Sequence, residues 1–242
     1  KYNAKYAQNI NNLNKSEKST YQYLDIVYRF DDSNEAIEKV FEFAKNNASL
    51  ALAWLEEKAN RDSRVALVLG DLHLRVVPMQ HIPKATSYYV KSAQQGNEKA
   101  VDGMLEIMSF YNRDASTQEF IQAYHRCMPH IQKRLITLYE TSLNLNLIRD
   151  ENQRNIIYQL FYDEIKRGDK NLLAQFAQLL NNRASEYGKL LLADMYIKDD
   201  IEKDHYAKAY KTYADIQFSS KEAKYNMQVL KYHGLGTEKQ RF

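Results

Sequence analysis

Residues 84–100 read KATSYYVKSAQQGNEKA. Small residues stand at Ala85, Ala93, Gly96 and Ala100, with two rings, Tyr88 and Tyr89, between them. Sliding the chain by 34 residues lays Ala51 on Ala85, Trp54 on Tyr88, Leu55 on Tyr89, Ala59 on Ala93 and Ala66 on Ala100. Leu69 and Gly70 then meet Gly103 and Met104, and His73 meets Ile107. Two antiparallel helices approach closely only where small side chains sit at the crossing, and aromatic rings fill the space beside it. A hairpin of this length cannot bury both of its faces alone, so the pattern calls for stacked neighbours.

A third copy lies near the C-terminal end. YAKAYKTYADI (206–216) sets Ala209 in the place of Ala85 and Thr212-Tyr213 in the place of Tyr88-Tyr89. AKYNMQVLKYHGLGT (223–237) follows with Ala223, Met227, Gly234 and Gly236, and GKLLLADMYIKD (188–199) precedes it with Leu192, Ala193 and Tyr196.

The run K-A-x-x-Y-Y-x-K-x-A-x-x-G-N-x-x-A resembles the Sel-like repeat, a branch of the tetratricopeptide-like helical repeats. The likeness covers 49–110 and 185–238. The loops RVVPMQHIP and IKDDIEKDHY lack the paired glycines of that family. The resemblance implies an all-α superhelical solenoid of stacked hairpins acting as a non-enzymatic scaffold or adaptor, bacterial and often exported. Within that group the chain is most similar to the helical-repeat outer-membrane lipoprotein of alginate and related exopolysaccharide export, whose partner is a porin. Periplasmic immunity proteins that wrap a toxic effector are the second likeness.

Composition agrees with the fold class. Of 242 residues, 44% are hydrophobic and 27% charged, as in a folded chain rather than a disordered one. Only 7 glycines and 3 prolines are present, too few for the many tight turns of a sandwich or barrel. A formal charge of +3, from 34 basic against 31 acidic residues, speaks against a nucleic-acid partner, which asks for a clustered basic face. No apolar run is long enough to span a membrane. Cys127 is the lone cysteine, so no internal disulfide can form. The chain opens KYNAKYAQNI, without Met or an apolar signal. The expectation is a numbering that starts inside a longer precursor, with room for a lipid anchor upstream of Lys1 and a periplasmic or outer-membrane location; the cytoplasm stays open.

Along the chain, 1–18 reads as a polar segment and 19–242 as one continuous array with a divergent middle at 112–183. Tyr23, Ile26, Val27 and Phe30 share helical spacing, and Ile37, Val40, Phe41 and Ala44 form a stripe behind an N-cap at Ser33 or Asn34. Helices are expected over 49–59, 62–75, 82–95 and 98–111. Pro129 should break or kink the stretch 116–143. Glu151 onward should run as a helix stopped at Gly168, and 170–182 as a short amphipathic one.

Catalytic constellations are absent from the pattern. HRCMPH offers His125, Cys127 and His130, three candidates where zinc takes four, and they do not share a helix face. A core cysteine with two surface histidines is the expectation, with no metal and no cofactor. GLGT (234–237) reads as turn glycines closing a helix rather than a phosphate loop. Asp199-Asp200 and Glu56-Glu57 lie in charged stretches unlike an acid–base pair. No G-x-S-x-G occurs. A different class, an all-α carbohydrate-active enzyme, would need acidic residues clustered at one end of a toroid, and no such cluster is found. Tyr88, Tyr89, Tyr196 and Tyr213 fall at packing positions, whereas Tyr2, Tyr6, Tyr111 and Tyr187 are left to reach a partner.

The partner face follows from the period. If Ala66, Leu69, Gly70 and His73 pack inward, Arg64, Val68, Asp71 and Arg75 share the opposite side. One repeat on, the same offset selects Glu98, Asp102, Leu105 and Ser109. Near the C-terminal end it selects Tyr187, Leu191, Asp194 and Lys198. Mixed charge with a few apolar residues suits a protein surface, and a merely solvated face is the plain alternative.

Overall fold

Asp62 accepts a hydrogen bond from the Arg64 backbone N–H at 2.8 Å and so caps the helix that begins at Ser63. Local signals of this kind set several helix ends. His81 caps the next helix through Lys84 N–H, with Pro83 in the first turn, where a missing N–H costs nothing. Pro129 opens a helix rather than kinking one; a 3₁₀ turn at Tyr124–Arg126 separates it from the helix before. Asp150 caps through Gln153 N–H, Ser220 through Ala223 N–H, and Gly234 at φ 67° closes the last helix.

The computed structural model describes residues 15–30, 34–111, 114–181, 185–198 and 204–237. Tyr2, Tyr6, Ser33, Asp199 and Asp200 lie outside them. The described residues are helical and carry no strand. The chain divides into two compact units, Lys1–Leu138 and Tyr139–Phe242. Among the described residues, no helix is long and apolar enough to cross a membrane.

The first unit contains α1 (Lys15–Phe30), α2 (Asn34–Asn46), α3 (Ala48–Lys58), α4 (Ser63–Arg75), α5 (Ile82–Gln94), α6 (Lys99–Tyr111) and α7 (Asp114–Ala123). The unit boundary falls inside α8 (Pro129–Asn144). Consecutive helices from α1 to α7 touch, and α2, α4 and α6 also contact one another in series. Ala51, Ala59, Ala66, Ala85, Ala93 and Ala100 are all completely buried, as the small-residue spacing requires. Tyr89 fills the gap between two glycines. A Cβ at Gly70 would stand 2.7 Å from its ring, and one at Gly103 closer still. Bulk on one helix is thus matched by its absence on two others.

Side-chain hydrogen bonds carry the same period. Tyr28 donates to Asp62, Arg75 to Glu106, Lys91 to Asn60 and Arg134 to Asp102, joining residues 34, 31, 31 and 32 apart. Thr86 meets Ser116 across 30 residues, and Asn97 donates to the Ser63 carbonyl across 34. Arg75–Glu106, Thr86–Ser116 and Arg134–Asp102 join helices two apart in the chain, and the other bonds run to or from the turns at Asn60, Asp62 and Asn97.

The N-terminal helix corrects one expectation. Tyr23 and Ile26 are exposed, and Tyr21 and Leu24 are buried instead. The cause is polar. Asp25 accepts from the Trp54 indole at 2.9 Å and sits 3.6 Å from Lys58, which turns the Tyr21–Asp25–Tyr28 side of α1 inward.

The second unit holds α9 (Glu151–Lys166), α10 (Lys170–Asn181), α11 (Glu186–Lys198), α12 (His205–Ile216) and α13 (Lys221–His233). Phe161 stacks on Phe176 at 5.5 Å, and Ala193, Ala209 and Ala223 are completely buried with Tyr213 beside them. Gly168 ends α9 at φ 109°. Gly234 and Gly236 have φ of 67° and 70°, and a side chain at Gly236 would strike the Tyr206 backbone, so GLGT is a helix-closing turn.

Candidate protein-binding groove

Because α2, α4 and α6 touch in series, their outer sides form one surface, and it is indented. A groove of about 440 Å³ lies there. α2 contributes Ile37, Glu38 and Phe41, and α4 contributes Ser63, Arg64, Leu67, Val68 and Asp71. The turn into α6 adds Gly96, Asn97, Glu98 and Lys99. Four of the face residues expected from the period, Arg64, Val68, Asp71 and Glu98, therefore come together.

Val68 is a correction within that set. It is 3% exposed, part of the core rather than of a solvated face. The offset rule assumes a helix with one buried arc, but α4 packs against α2, α3, α5 and α6, so its buried arc is wider. Only Arg64, Leu67, Asp71 and Arg75 are left on the open strip.

The charges are mostly engaged. Arg64 Nη2 lies 2.8 Å from Asp62, whose carboxyl also accepts from Tyr28. Those bonds hold the Asp62 carboxyl below the ordinary range against its burial, and burial with the Asp62 bond pushes the Tyr28 phenol up to about 12. Asp71 accepts from the Tyr89 hydroxyl at 2.8 Å and sits 3.3 Å from Arg75. Burial nevertheless lifts the Asp71 carboxyl above its usual range, because desolvation outweighs those bonds. Asp71 is thus partly structural, and reversing its charge would strand the buried Tyr89 hydroxyl. Arg75 bridges on to Glu106 at 2.6 Å, and Asp102 pairs with Arg134 at 2.8 Å. Leu105 is half-buried and Ser109 exposed, both outside the groove.

In the second unit, Tyr187 is exposed and donates to Gln159 at 2.9 Å. Asp194 accepts from Tyr162 and from Lys198, each at 2.7 Å, and Leu191 is half-buried. Of the four tyrosines left to reach a partner, Tyr187 and Tyr111 are described. Tyr111 accepts a hydrogen bond from Gln80.

Ile37, Glu38, Phe41 and Leu67 were absent from the expected face. A signal for two of them existed. Moving Asp71 and Arg75 back by the same 34 residues lands on Ile37 and Phe41. Both belong to the expected α2 stripe, and both are half-buried, packing against the core while lining the groove.

The reactive candidates separate. Cys127 is buried, its thiol pushed up to about 11 by desolvation, which keeps it out of the nucleophilic thiolate form. His125 and His130 are exposed, and His130 faces the Gly96 carbonyl at 3.4 Å. Among the described residues, no group of three His, Cys, Asp or Glu side chains is placed to hold a metal. Glu56 accepts from Tyr88 at 3.4 Å, and Glu57 lies 4.0 Å from Lys58.

No protein-family model matches the chain, and no curated protein matches it.

Proposed function

We propose that the chain is a non-enzymatic scaffold of stacked Sel-like helical hairpins whose groove-bearing face, on α2, α4 and α6, binds another protein. The observation that carries this reading is the set of hydrogen bonds between residues 31 to 34 apart, with α2, α4 and α6 in series beneath a shared groove. Stacked repeats use the surface their aligned first helices share as an extended binding face. The Sel-like resemblance supplies the setting, an exported bacterial scaffold beside an outer-membrane secretion porin.

Capture from the native host tests it. Glu38 and Glu98 are exposed, and reversing exposed charges changes stability little. Glu38→Lys with Glu98→Lys is expected to lose a partner that the wild type retains, while melting as the wild type does. Gln118→Lys with Gln122→Lys, on the exposed side of α7, is the control and keeps the partner. Equal capture by both variants would remove the groove from the function.

A further inference from the structure

Resting on that reading, the charge and apolar pattern of the groove narrow the partner. Glu38, Asp71 and Glu98 bring three carboxylates to its walls against two cations, Arg64 and Lys99. Arg64 is already committed to Asp62. Among the described residues, no ion pair engages Glu38, Glu98 or Lys99. The lining is therefore acidic in its uncommitted charge. Ile37 and Phe41 on α2 and Leu67 on α4 line the same groove and provide its apolar surface. A volume of about 440 Å³ admits a few side chains, not a folded element.

We propose that this groove takes an arginine flanked by apolar residues, presented by a segment of the partner protein. The guanidinium is planar and carries a fork of donors, so it can address two carboxylates at once. Asp71 is well suited as one of them. Tyr89 and Arg75 fix its carboxyl in place, and burial leaves that carboxyl under-compensated, so a further cation is favoured beside it. Glu38 and Glu98, on opposite walls, supply the exposed charges that steer a cation in. The apolar neighbours of the arginine cover Ile37, Phe41 and Leu67 and shield the ion pairs from water.

Fluorescence anisotropy with two labelled peptides tests this, Gly-Ser-Leu-Arg-Leu-Ser-Gly and its counterpart with glutamate at the centre. The arginine peptide is expected to bind the wild type, more weakly as salt rises, and the glutamate peptide to bind at least tenfold worse. Glu38→Lys with Glu98→Lys should weaken the arginine peptide at least tenfold and improve the glutamate peptide. Asp71→Asn keeps an acceptor for Tyr89 and should weaken the arginine peptide several-fold, with a modest drop in melting temperature from the neutral acceptor and the lost Arg75 pair. Failure of both peptides to bind the wild type, or binding that ignores the central charge, would overturn the inference. The two claims fail separately. If host partner capture is lost in the lysine variant while no peptide shows charge preference, the groove still binds a protein but not through an arginine. If capture is unchanged, the face itself is wrong.

Discussion

Asp71 in the first unit and Asp194 in the second perform the same task from unlike surroundings. Each accepts a tyrosine hydroxyl, Tyr89 at 2.8 Å and Tyr162 at 2.7 Å, and each pairs with a cation four residues on, Arg75 and Lys198. Around Asp71 the sequence is recognisable, since Tyr89 belongs to KATSYY and lies against Gly70 and Gly103. Around Asp194 only half of it is, because Asp194 lies in GKLLLADMYIKD but Tyr162 comes from the divergent stretch FYDEIKRGD. What persists between them is a physical device, a buried ring whose hydroxyl is satisfied by a carboxylate and a nearby cation. A repeat motif written in letters detects only the version whose neighbouring positions are also constrained. Tyr89 imposes that constraint, because a ring pressed on two helices forbids side chains at both.

The largest expected effect breaks the first version of the device. Tyr89 is completely buried, so Tyr89→Ala leaves a large cavity and should destabilise by about 3–5 kcal/mol in denaturant unfolding. Tyr89 lies in the first compact unit, so hydrogen exchange should rise over 63–111 and not over 186–233. Hydroxyl removal then sharpens the comparison. Tyr89→Phe and Tyr162→Phe each lose a bond to a charged acceptor, worth about 1.5–3 kcal/mol. Tyr89→Phe should be the costlier, because the Asp71 side chain is 21% exposed and that of Asp194 37%. Equal costs would mean that burial of the acceptor does not distinguish the two sites.

A smaller effect concerns pH and belongs to the first unit alone. His73 is buried and stacks on Tyr88 at 5.7 Å; its Nδ1–H donates to the Met79 carbonyl, and Nε2 has no partner. Desolvation, with Lys84 and His81 nearby, holds its pKa below the ordinary histidine value, against the Met79 bond and Glu56. The unfolded chain therefore binds a proton that the folded one resists. The stability His73 contributes is complete above about pH 6.5 and falls as pH drops through the lowered folded value. His73→Asn should flatten that slope in melting curves between pH 7 and pH 5. The second unit carries Tyr196 at this register, so exchange over 186–233 should show no such step.

Helix placement was largely legible, with 49–59, 62–75, 82–95 and 98–111 expected against Ala48–Lys58, Ser63–Arg75, Ile82–Gln94 and Lys99–Tyr111 observed. Alanine at a crossing leaves little choice of conformation or neighbour, so its spacing reads directly. What stayed hidden depended on partners a repeat away. Val68 looked outward because the period shows which side of α4 faces α5 but not that α2 and α6 flank it. Asp102 and Arg75 looked free because Arg134 and Glu106 lie 32 and 31 residues distant. Ile37 and Phe41 pack against the core as their stripe suggests, but the stripe alone does not show that they also line a groove, because apolar residues at a groove edge and in an interior have the same pattern.

Hydrogen exchange on the complex with the captured host partner tests the central claim, that the shared face of α2, α4 and α6 is the binding surface. Slowed exchange is expected over 37–41, 63–71 and 96–99, with α7 and α12 unchanged. Protection confined to α9–α13, with those three stretches exchanging as in the free protein, would contradict it.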